Sequence, residues 1–162
     1  MRIKDITLVA ILTALIFILE QALSLVPFVQ LTIFLLILYS KKLGVIKTLI
    51  VIIVHVLLDN LASGYFNVLF VLFMIIGYSF IPIIINTAAK KVENPIILSL
   101  FGIIFSLLYS WIMLIPSCIV FEMEFVECFV GDIPFEIGLL VSSFISVFLL
   151  YKPLERVFNK IY

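Results

Sequence analysis

Residues 6–25 read ITLVAILTALIFILEQALSL, an apolar run that closes on a carboxylate and an amide. A helix of that length, at ~1.5 Å per residue, reaches ~30 Å, which is the thickness of a bilayer's hydrocarbon core. Glu20 then stands roughly 20 Å above Ile6, near the far face, where an ionisable group is costly unless it meets a partner or a ligand. Lower on the same helix, Ala10 and Ala14 are four residues apart and form a small flat patch that another helix can approach closely. One end of the helix suits binding and the other suits docking.

The rest of the chain agrees with a membrane setting. Of 162 residues, 65% are hydrophobic and only 12% are charged, too little polar content to coat a water-soluble surface. The composition implies an integral membrane protein, and the repeated apolar runs imply an all-α polytopic one. Formal net charge is zero, yet the ten basic residues fall into four groups: Arg2 and Lys4; Lys41, Lys42 and Lys47; Lys90 and Lys91; Lys152, Arg156 and Lys160. Each interval between groups holds two crossings. All groups therefore fit on one side, and the cytoplasmic bias of Lys and Arg places both termini inside. A secretory signal peptide is the competing reading of the N-terminus, but the run exceeds the ~7–15 residues of such signals and Ala22-Leu23-Ser24 is a poor cleavage site.

These intervals predict a single membrane domain, 1–162, built as a bundle of six transmembrane helices, N-in and C-in. The spans fall near 6–25, 27–40, 43–61, 67–88, 95–116 and 132–151. The second is short, and Pro27 breaks the chain before it. Ser63-Gly64 supplies an outer turn, and Pro82 predicts a kink in the fourth span. Small residues recur every four positions at Gly102, Ser106 and Ser110, and again at Gly138, Ser142 and Ser146, which predicts close helix contacts. Residues 117–131 form the longest outer segment. Phe121, Phe125 and Phe129 recur within it every four residues and suit a short interfacial helix.

With the basic groups inside, the outer half holds Glu20, Asp59, Glu122, Glu124, Glu127, Asp132 and Glu136 and no Lys or Arg, whereas Asp5, Glu93 and Glu155 lie inside. An outer vestibule of this sign favours a cation or a neutral polar molecule over a polyanion. His55 and Asp59 are at i and i+4, so they share a face and can hydrogen-bond. Gln21, Gln30, Asn60, Tyr65, Asn67, Tyr109 and Trp111 add polar and stacking groups at a similar height. Cys118 and Cys128 have no metal-site spacing, and no further ligands surround His55. No phosphate loop, zinc-protease motif or nucleophile elbow occurs, so neither a metal, a cofactor nor an enzymatic activity is expected, and nothing points to nucleic acid.

Six short spans, the Ala10-Ile11-Leu12-Thr13-Ala14 patch and a polar outer face together resemble the S components of energy-coupling factor transporters, over essentially the whole chain. The resemblance implies a prokaryotic cell-membrane subunit that binds a vitamin or related micronutrient outside. Ala10 and Ala14 would dock it to a transmembrane coupling subunit driven by two cytoplasmic ATPases. By region, the matching ligand positions are Asn60, Tyr65, Asn67, Tyr109, Trp111, Glu127, Asp132 and Glu136. The residue reading adds Glu20, Gln30 and Asp59. Two other classes stay open: a self-contained carrier in which Glu20, His55 and Asp59 relay protons, and a membrane scaffold without a ligand.

Overall fold

The computed structural model describes residues 3–24, 26 and 29–161. Arg2 of the first basic group and Pro27 at the first break lie outside the described residues. Every regular element is helical: α1 (Ile3–Leu23), α2 (Thr32–Ala62), α3 (Val68–Thr87), α4 (Pro95–Val120) and α5 (Phe125–Ile161). All five are long and apolar enough to cross a membrane, compatible with a multi-pass helical membrane protein.

Helix α2 runs through both the second and the third expected spans. Its backbone leaves helical geometry at Gly44, where φ is 78° and ψ is −177°. That conformation is almost confined to glycine, because a Cβ clashes with the neighbouring carbonyl. The two arms double back on each other there. Lys41, Lys42 and Lys47 meet partners at one end of the bundle, whereas Gln30, just before α2, and Asp59, near its far end, line one cavity at the other. An unbroken helix between them would hold them ~44 Å apart.

The first arm is the centre of the bundle. Residues 32–40 are all buried, and Ile33, Leu36 and Ile37 have no exposed surface. A helix that is apolar all round belongs inside, and α2 touches each of the other helices. This also explains its shortness: about a dozen residues reach only ~18 Å, but a segment enclosed by protein need not match the bilayer. Ahead of it, turn bonds run from Val26 N to Leu23 O and from Val29 N to Val26 O.

Asn67 starts α3 by accepting from the amides of Leu69 and Phe70 at 2.9 and 3.3 Å. Asn94 does the same for Ile96 at 2.9 Å, with Pro95 in the first turn of α4. Helices α4 and α5 pack closely along the predicted small-residue stripe. A Cβ on Gly102 would lie 3.4 Å from the Ser143 carbonyl, and the Ser106 and Ser143 hydroxyls meet at 2.6 Å. The second stripe faces elsewhere, because Ser142 bonds both backbone groups of Gln30.

No separate helix occupies 117–131. Helix α4 continues through Pro116 to Val120 and α5 begins at Phe125, so the turn between them is 121–124. The Phe periodicity belongs to the ends of two long helices, and the Phe125 and Phe129 rings stack at 6.3 Å.

The two ends of the bundle differ in charge. Lys41 Nζ donates to the carbonyls of Ala89, Lys90 and Val92 at 2.6, 3.0 and 2.6 Å. Lys47 pairs with Asp5 at 2.7 Å and Lys42 with Glu155 at 3.0 Å, which also meets Lys152. At the acidic end, no described carboxylate pairs with Lys or Arg.

Candidate functional site

The acidic end holds a half-open cavity of about 260 Å³. Helix α1 contributes Glu20, Gln21 and Leu23; the connection after it contributes Ser24, Val26, Val29 and Gln30. Asp59 comes from the second arm of α2, and Phe135 and Leu139 from α5. The reversal at Gly44 is what lets both sides of α2 reach this space. Ser24, Val26, Val29 and Gln30 are non-helical, and irregular backbone in a membrane protein is tolerated where it lines a cavity. Ser142 pins that wall, donating to Gln30 O at 3.0 Å and accepting from Gln30 N at 2.9 Å.

Glu20 and Gln21 reach opposite partners. Gln21 Nε2 donates to Asp59 Oδ1 at 3.1 Å. Glu20 Oε2 approaches His55 Nε2 at 2.9 Å without the alignment of a hydrogen bond. His55 is fully buried, and both of its ring nitrogens lack hydrogen-bond partners among the described residues, as do Glu20 Oε2 and Gln30 Oε1. Four unmet polar atoms in one neighbourhood is unusual, since buried polar groups are nearly always bonded. The expected His55–Asp59 hydrogen bond is therefore absent. Sharing a helix face was not enough, because α1 offers each of the two residues a partner across the interface.

Behind His55 the Tyr78 ring lies 6.5 Å away and stacks on Tyr109 at 4.4 Å, tilted by 13°. Tyr109 is thus buried beneath the site and does not line it. Of the other sequence-predicted residues, Glu20, Gln21, Gln30 and Asp59 meet at the cavity. Asn60 is buried and donates to Val56 O and Met74 Sδ. Tyr65 is 60% exposed, and Asn67 caps α3. Trp111 Nε1 donates to Glu136 Oε1 at 2.9 Å, and the Ser110 hydroxyl bonds Asp132, so these four residues bridge α4 and α5. Asp132 also lines, with Glu127, a shallower cavity of about 200 Å³.

Sequence reasoning missed Phe135, Leu139, Leu23, Ser24 and Val26. The first two are i and i+4 on α5, a spacing that marked a shared face but not which face. Ala10 and Ala14 lie on the free side of α1, whose only helix neighbour among the described residues is α2. The buried stripe of α1, Val9, Leu12, Thr13 and Ile16, faces that neighbour. Cys118 and Cys128 are free thiols, and no group of three or more His, Cys, Asp or Glu able to hold a metal occurs among the described residues.

No protein-family model, curated protein or solved structure matches this chain.

Proposed function

We propose that this chain is the substrate-capturing subunit of an energy-coupling factor importer, taking up a vitamin or related micronutrient from outside the cell. The observation that carries this reading is the cavity at the acidic end, where Glu20, Gln21, Gln30 and Asp59 converge from three parts of the chain. Its lining is half polar and half apolar, and a concave site that joins apolar surface to convergent polar groups is the common form of a small-molecule site.

The reversal at Gly44 supports six crossings, with residues 32–43 and 45–62 as separate passages. The collection of Lys side chains at one end supports a cytoplasmic position for that end and for both termini. The exposed Ala10 and Ala14 stripe on an edge helix supports docking to a transmembrane coupling subunit, with two cytoplasmic ATPases supplying the energy. The chain itself is then a binding protein and no enzyme.

The test is reconstitution in liposomes with a radiolabelled form of the compound that co-purifies with the chain. The chain alone should bind this compound and leave it outside; accumulation should require the partner subunits. Accumulation by the chain alone under a proton gradient would replace this reading with the carrier reading, which the Glu20–His55 contact favours.

A further inference from the structure

The unmet atoms at the cavity say what kind of molecule completes it. Glu20 Oε2 is a carboxylate oxygen and Gln30 Oε1 an amide oxygen, and both only accept hydrogen bonds. A ligand seated against this wall has to bring donors of its own, because an acceptor left without a donor costs affinity.

Charge narrows the class further. Glu20 and Asp59 line the cavity, and among the described residues no Lys or Arg does. Two carboxyl groups with no basic side chain beside them disfavour an anion and favour charge-assisted N–H donation. Leu23, Val26, Val29, Phe135 and Leu139 supply apolar surface. A volume of about 260 Å³ falls just below the ~300–1,000 Å³ of ordinary ligand pockets, which limits the body to a single ring or a short chain.

We propose that this cavity takes a compact organic cation with at least two N–H donors, such as an amidinium, a primary ammonium or an aminated heteroaromatic ring, on an apolar body. The proposal rests on the reading of the cavity as the ligand site. The donors meet Glu20 and Gln30, Asp59 adds long-range attraction, and the ring or chain lies against Phe135 and the valines.

Four probes of similar shape separate charge from donation: benzamidinium, benzyltrimethylammonium, benzamide and benzoate. They are titrated by calorimetry into the full chain in lipid nanodiscs. Benzamidinium should bind at least ~10-fold tighter than each of the other three, a difference of ~1.4 kcal/mol. Glu20→Gln and Asp59→Asn should each shrink the margin over benzamide, and the wild-type ranking decides even where a variant fails to fold. Benzamide or benzoate binding as tightly as benzamidinium overturns the proposal, and benzyltrimethylammonium doing so overturns the donor requirement. A neutral or anionic compound retained in stoichiometric amount through purification also overturns it while leaving the site in place. Absence of both probe binding and any retained compound overturns the site itself.

Discussion

Gly44→Ala separates two architectures by the sign of its effect on stability. At φ 78° and ψ −177°, Gly44 occupies a backbone region where a non-glycine residue costs ~1–3 kcal/mol. An added Cβ would have no heavy atom within 4 Å, so no clash adds to the cost and no new packing offsets it. The variant should therefore be destabilised by ~1–3 kcal/mol. Were 32–62 one continuous helix, the same change would stabilise by ~0.5–1 kcal/mol, the usual gain for Gly to Ala in a helix interior. Reversible unfolding by SDS titration in mixed micelles measures the difference. A stability equal to or above wild type would refute the reversal, and with it the meeting of Gln30 and Asp59.

Three further outcomes are expected. Lys41→Met removes the shared donor of three carbonyls at the end of α3 and should cost ~1.5–3 kcal/mol in the same unfolding assay. Ser106→Ala and Ser143→Ala, combined in a double-mutant cycle, should show a coupling of ~0.6 kcal/mol and no more than ~1.7, the range for hydroxyl pairs between membrane helices. Ala10→Leu with Ala14→Leu should abolish uptake in cells and leave ligand affinity within about twofold, because both residues lie on the free face of α1; equal loss of binding and uptake, measured by titration and transport, would contradict the docking role.

The apolar runs made the helices legible because a bilayer requires ~20 apolar residues per crossing whatever the fold. The Lys groups marked one end of the bundle for a similar reason, and their contacts with Asp5, Glu155 and the 89–92 carbonyls join that end together. Glu20 stood out as an acid deep in an apolar helix, and the structure places it on the cavity wall. Height along a helix can be counted from sequence, but rotation about its axis is set by neighbours. Thus Asp132, Glu136 and Trp111 are engaged between α4 and α5, and Tyr109 turns inward to Tyr78. The stretch 117–131 was misread because its Phe spacing is equally that of helix ends continuing past the membrane core. The valines at 26 and 29 carry no periodic signal, since irregular backbone has none.

The most direct measurement is native mass spectrometry of the full chain released gently from nanodiscs, beside Glu20→Gln and Gln30→Leu variants. The wild-type chain should carry one small molecule per copy, and both variants should carry it at clearly lower occupancy. A bare wild-type chain, or equal occupancy in all three, would contradict a ligand held at the acidic end.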